Sequence, residues 1–353
     1  MQQTLSGVAG RVNTGVRAAA TMIVLPIALV LACLYAIASG AADLGAGEIW
    51  ASVAARMGVG SDPLTARQQA IVWELRMPRV LVGALVGAAL SVGGATLQAL
   101  VRNVLADPYL LGVSSGAGLG AAGVIALGLG AALGGVTLVG GAFLGACLAV
   151  VLLLLLTGRR GAVAVHHLVL AGLVVSFFLS AVTNLVVSVA GDRDTVRAIM
   201  FWTLGSLARA DWTHLPVLAL VVLGMLAALT LIARRLDAIS LGDDVARSLG
   251  TDPGRLRVQA TAITAIGVAA AVAVSGAVGF VGLVVPHLTR SLVGASHRVL
   301  LPTCALLGAL VIVVGDTLAR TVLAPRELPL GVLTALLGTP LLMVLVRRQG
   351  ERP

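Results

Sequence analysis

The chain has 353 residues, 59% of them hydrophobic and 11% charged, with a mean hydropathy of +1.05 and a formal charge of +9. Soluble domains carry about 25% charged residues, so the composition excludes a soluble protein, and no polar stretch is long enough for a large soluble domain. All 24 basic residues are arginine; a P-loop needs a lysine at the β/γ-phosphates, so ATP hydrolysis, where it drives transport, belongs to another polypeptide. The arginines are scattered among apolar runs rather than clustered on a polar domain, which argues against nucleic acid as a partner.

Apolar runs long enough, or nearly so, to cross a bilayer (about 20 residues) fall near 20–40, 80–101, 110–131, 134–157, 166–190, 214–233, 257–275, 277–294, 299–319 and 329–346. The first could mimic a signal peptide, with SGA at 39–41 as a cleavage site, but its apolar length exceeds a usual h-region and it is kept as a span. The seventh and eighth share one uncharged run, too long for a single upright helix; Ser275-Gly276 and Gly279 mark the break. The fold class expected is an all-α polytopic membrane protein with ten transmembrane helices. Short tails (1–19 and 347–353) flank a helical domain at 20–346. With ten spans, fifteen arginines and six acids share the side of the termini, leaving nine of each opposite; the positive-inside rule then makes both termini cytoplasmic.

The 43 glycines and the 3% aromatic content fit helices packed closely through small residues. Cys33, Cys147 and Cys304 each lie alone in apolar runs, without CxxC or metal-ligand spacing, and read as packing residues. Between the spans, the outer loop 191–213 has enough apolar content for a short interfacial helix. In the cytoplasmic loop 234–257, Leu241, Val245 and Leu249 recur every fourth residue, which predicts a short amphipathic helix. Gly250 would stop it, with Pro253 just beyond.

Ser176, Ser180, Asn184 and Ser188 stand four apart on the fifth span and stack on one helical face. Such a face can line a path, or its serines can bond back to the preceding turn. Arg76 and Arg79 in WELRMPR, with Arg320 four residues after Asp316, lie at the outer ends of their spans. They can dock an acidic partner, anchor at headgroups or, for Asp316 and Arg320, pair along the helix for about 0.3–0.5 kcal/mol. In LVRNVLADPYLLGVSSGAGLG (100–120), Asp107-Pro108 initiates a turn and the glycines offer packing rather than a phosphate cradle. Adjacent His166 and His167 point about 100° apart on a helix and cannot chelate one metal together, and His287 has no companion ligand. No metal site and no cofactor is expected. In GFVGLVVPHLTRSLVG (279–294), Pro286 bends the helix and Arg290 serves either as a snorkelling anchor or as a contact for a soluble partner.

Taken together, ELRMPRVLVGALVGAALSVGGATLQALVRNVLADPYLLGVSSGAG, SLGDDVARSLG, GFVGLVVPHLTRSLVG, GDTLAR and ELPLGVLTALLGTPLL resemble the FecCD family, the ten-helix permeases of type II ABC importers for ferric siderophores, haem and cobalamin. The match runs from about residue 70 to the C-terminus, with the motifs in family order. Two departures stand out: the usual Asn-Pro-Leu-Ala is Asn103-Val104-Leu105-Ala106, and a common aromatic pair after the last GxP is Leu341-Leu342. The resemblance implies a non-enzymatic permease of the plasma or inner membrane. It would work with a second permease copy or homologous permease, two ABC ATPase subunits and an extracytoplasmic binding protein that delivers a metal chelate, a ferric siderophore being the first choice. It further implies ATPase coupling through Leu241, Gly242, Ala246, Leu249 and Gly250, with Asp244 and Arg247 on the polar side of the same segment. Binding-protein docking would use Arg76, Arg79 and Arg320. The path at the two-fold interface would include Ser176, Ser180, Asn184 and Ser188, with a cytoplasmic gate at Val165 and His166. An ion-coupled secondary transporter is the rival from another class; no Asp or Glu falls mid-span to serve it.

Overall fold

The computed structural model describes residues 2–40, 44–129, 135–157, 165–190 and 192–350. Among these residues the structure is helical, without strands. In chain order the helices are α1 (Gln2–Ala38), α2 (Ala46–Arg56), α3 (Ala66–Ala70), a π-helical turn (Ile71–Arg76), α4 (Met77–Val101), a 3₁₀ turn (Pro108–Leu111), α5 (Val113–Ala126), α6 (Gly135–Thr157) and α7 (Val165–Val189). They continue with α8 (Arg193–Thr203), α9 (Leu215–Leu231), α10 (Ala233–Ser240), α11 (Asp243–Ser248), α12 (Pro253–Ser275), α13 (Val281–Val293), α14 (His297–Thr321) and α15 (Leu330–Gly350). Each of the ten expected runs coincides with a helix. Six are long and apolar enough to cross a membrane, and α9 with α10, bent by 61°, can make a seventh. The apolar stretches of α5, α13 and α15 are shorter. The expected N-terminal tail is the first part of α1, and residues 351–353 of the expected C-terminal tail lie outside the described residues.

Helix α4 is the central post. Its residues 86–101 are buried almost without interruption, and glycines explain how so many helices reach it. A Cβ on Gly87 would strike the Gly308 carbonyl of α14, and one on Gly94 would strike that of Gly282 on α13. The same backbone-to-backbone approach joins α5 to α6, where Gly116 faces Gly145 and Gly120 faces Gly141. Close approach through small residues supplies the van der Waals contact that holds a bundle together in lipid.

The chain breaks between α12 and α13, at the position the sequence marks. Gly276 and Phe280 both take left-handed φ values, 66° and 68°. The backbone freed there is satisfied by Tyr109 of the 3₁₀ turn, whose hydroxyl donates to Val278 O (3.0 Å) and accepts from Val278 N (2.8 Å). Irregular backbone buried in protein needs such partners. Asp107 orders the turn by accepting from Tyr109 N at 2.8 Å. Farther along α13, Pro286 is buried and Arg290 donates to Gln98 Oε1 of α4. Arg290 thus ties two helices together, a role that neither sequence reading of it anticipates.

Candidate functional site: two charged ends and an exposed helix face

At the end of the bundle where α1 finishes, the π-helical turn carries Arg76 inward. Its Nη1 donates to Ile37 O (2.9 Å) and Ala38 O (3.0 Å). Arg320 donates to Ala36 O (3.0 Å) and Ser39 O (3.2 Å). The last carbonyls of α1 have no intrahelical partners, and cations are favoured at that end of the dipole; two guanidiniums therefore cap it. Arg79 sits beside them with a fork on each of two carboxylates: Asp316 at 2.9–3.1 Å and Glu327 at 2.9 and 3.0 Å. Arg320 Nε lies 3.2 Å from Asp316 Oδ2 but without hydrogen-bond alignment, so that attraction is coulombic.

All three arginines expected at a docking surface are thus turned inward and carry internal partners. The group of this cluster that reaches solvent is Glu327, whose side chain is 43% exposed against 12% for Arg79. Within the π turn, Trp73 O accepts from the indole of Trp212 (2.6 Å), which fastens the segment between α8 and α9 to the start of α4.

At the opposite end, α10 and α11 form the segment between α9 and α12. Gly242, with φ +123°, opens α11, and Gly250, with φ +76°, follows it, so the predicted amphipathic helix and its glycine stop are both present. Leu241 and Leu249 are 70% and 65% exposed, with half-exposed Val245 between them. Asp244 and Arg247 pair with each other in solvent at 2.8 Å. Ala246 departs from the expectation: it is fully buried and faces the bundle, while Val245 continues the outward ridge.

The buried side of this segment is anchored by two contacts that sequence reasoning missed, an arginine–carboxylate ion pair and an imidazole–carboxylate hydrogen bond. Arg257, buried in the second turn of α12, grips Asp243 through both terminal nitrogens (2.6 and 2.9 Å) and reaches Leu100 O of α4 with Nε (3.3 Å). The hydrogen bonds from Arg257 hold the Asp243 carboxyl below its ordinary range, with Arg102 and Arg247 adding to the effect. Asp237 of α10 accepts from both N (2.9 Å) and Nδ1 (2.6 Å) of His297, at the start of α14.

On α7, Ser176 bonds back to Gly172 O and Ser188 to Asn184 O, both at 2.8 Å. Ser180 meets Ser115 of α5 at 3.3 Å, and Asn184 is exposed. The face is therefore partly self-satisfied rather than uniformly free. Around it Val174, Phe177, Phe178, Leu185 and Val189 are bare. His166 is exposed, with its ring edge-on to that of His167 at 4.6 Å. Val165 opens α7, but its side chain and residues 158–164 before it lie outside the described residues. Among the described residues, no group of three or more His, Cys, Asp or Glu could hold a metal.

A family model of the FecCD transport family matches residues 28–348. The haemin transport system permease HmuU of Yersinia pestis is 41% identical over 284 residues, covering 80% of this chain and 84% of that protein. A vitamin B12 import system permease, BtuC of Escherichia coli, is 38% identical over 313 residues, 88% of this chain and 91% of its own length. Among solved structures, an inward-facing metal-chelate type ABC transporter superposes with a TM-score of 0.80 at 30% identity, over 92% of this chain and 98% of its own. A packed bundle that is helical throughout the described residues and a match along nearly the whole length leave one conclusion: the chain belongs to the FecCD transport family and is an integral-membrane permease subunit of an ABC importer, not itself an enzyme.

Proposed function

We propose that this permease carries a metal chelate inward as one half of a permease dimer, with two ATPase subunits on the cytoplasmic side and a binding protein outside. Ten spans with both termini cytoplasmic put the Leu241–Leu249 ridge on the side where ATP is. The observation that carries the reading is that ridge: two exposed leucines flanking a short helix between α9 and α12, with half-exposed Val245 on the helix itself. Exposed apolar patches of this kind mark partner sites, and Leu241, Gly242, Leu249 and Gly250 form the rim with Asp244 and Arg247 beside them. Ala246 supports the helix from below.

The bare apolar side of α7 supports a second copy as its neighbour, with Asn184 and the serines along the path between copies, and Val165 and His166 near its cytoplasmic mouth. Arg79, Arg76 and Arg320 supply the positive charge beneath the docking face for the binding protein. For the cargo, a ferric siderophore is one reading; the names of the haemin and vitamin B12 relatives favour a metal-bearing tetrapyrrole as the second.

Uptake by proteoliposomes holding the assembled importer tests both levels. Ferric hydroxamate, haemin and cyanocobalamin are each offered with the binding protein, with and without ATP on the ATPase side. ATP-dependent accumulation of one of them is expected. Accumulation driven by an ion gradient alone would contradict the reading.

A further inference from the structure

The ridge explains how an ATPase can hold this chain, but not how a push on a six-residue helix moves the bundle. Helix α11 is joined along the chain to α12 by Leu249–Asp252 and is preceded by Gly242 in a conformation that L side chains rarely adopt. Turns of this kind alone would pass on little of a push, so the displacement must travel through side-chain contacts.

What lies behind the helix is Arg257. The guanidinium is 2% exposed and joins three elements at once: both carboxylate oxygens of Asp243 on α11, its own helix α12, and the Leu100 carbonyl at the end of α4. Bidentate guanidinium–carboxylate pairs are directional as well as strong, and one buried partner makes loss of the other costly. The Leu100 contact uses a carbonyl that α4 leaves without an intrahelical partner. Helix α4 is the central post, already packed backbone to backbone on α13 and α14. The other end of the segment is held independently, through Asp237 to the first residue of α14. Both attachments lead to helices that themselves touch α4.

We infer that Arg257 and Asp243 are positioning residues that form the rigid link by which motion of the α10–α11 segment is passed to α12 and α4. The ridge provides the grip, and this pair transmits the displacement. The inference rests on the reading of the ridge as the ATPase contact, but it concerns a different surface, since neither residue belongs to that contact.

The test uses the whole importer with its own ATPase and binding protein in nanodiscs. Two quantities are measured: association with the ATPase subunits, and the factor by which loaded binding protein raises ATP hydrolysis. Asp243→Asn, the milder change because Asp243 is partly exposed, should still assemble but lose about tenfold in that stimulation, within the range of coupling between distant sites. Arg257→Gln should do the same, and the exchange Asp243→Arg with Arg257→Asp should recover stimulation relative to either single reversal. Full stimulation in Asp243→Asn would overturn the inference, as would loss of ATPase association, because the pair would then merely build the contact surface. An exchange no better than its single reversals would also count against it. Leu249→Asp separates the two levels: if it leaves ATPase association intact, the reading of the ridge fails instead.

Discussion

Gly120 and Gly123 lie on the same face-to-face hairpin of α5 and α6, three residues apart, and the structure assigns them opposite responses to one methyl group. A Cβ on Gly120 would land on the carbonyl oxygen of Gly141 and within 2.7 Å of its carbonyl carbon, where ordinary contacts begin at 3.4 Å. Both obstructing atoms are backbone, so no side chain can swing aside and the two helices must part. Overpacking of this kind costs about 1–3 kcal/mol. Gly123 has no described atom within 4 Å of the same methyl, and replacing glycine by alanine within a helix is worth up to about 1 kcal/mol. The propensity gain is common to both, so Gly120→Ala and Gly123→Ala should differ by the overpacking cost, about 1–3 kcal/mol in stability. At about 2 °C per kcal/mol, this is a gap of roughly 2–6 °C in thermal midpoint. Melting of the two variants in the same nanodiscs measures it. Equal midpoints, or Gly123→Ala as the less stable variant, would refute the argument that glycine sets the helix spacing here.

Glu327→Gln should strengthen association with the binding protein. It frees one side of the Arg79 fork from a partly exposed carboxylate, a pair worth about 0.2–1 kcal/mol at such sites, and so should give up to about a fivefold gain at low salt that fades at high salt. Weaker or unchanged binding would show that Arg79 contributes no charge to the docking face. The Asp243 carboxyl titrates below its ordinary value of 3.8 in the folded chain. Its contribution to holding α11 is then fully present above that value and is lost as pH falls through the lower folded value. Hydrogen exchange of residues 243–250 should accordingly stay constant from neutral pH down to about pH 5 after correction for intrinsic rates. A protection step between pH 5 and 8 would contradict this.

Much of the fold was legible because membrane helices announce themselves locally. The break at Ser275-Gly276, the period of Leu241, Val245 and Leu249, and the stop at Gly250 all follow from short-range physics. The charged groups were not legible in the same way. Arg79 finds its carboxylates 237 and 248 residues away, Arg257 finds its helix-end carbonyl 157 residues away, and no spacing rule connects them. A π turn that rotates Arg76 inward leaves no signature in WELRMPR. The serines of α7 stand at a spacing that serves a path and a back-bond to the preceding turn equally well, and the structure shows that Ser176 and Ser188 make the back-bond. Ala246 falls beside the apolar period but on its inner side, where a small residue lets α11 lie close to the bundle.

The permease has no nucleotide-binding motif, so the whole account depends on force entering through the ridge. The direct measurement is the affinity of the purified permease for its ATPase subunit with Leu241 and Leu249 both changed to Asp. Burying a leucine is worth about 1.5–3 kcal/mol, so losing even one such contact should weaken association at least about tenfold, with the helical fold unchanged by circular dichroism. Undiminished affinity in that variant would contradict the account.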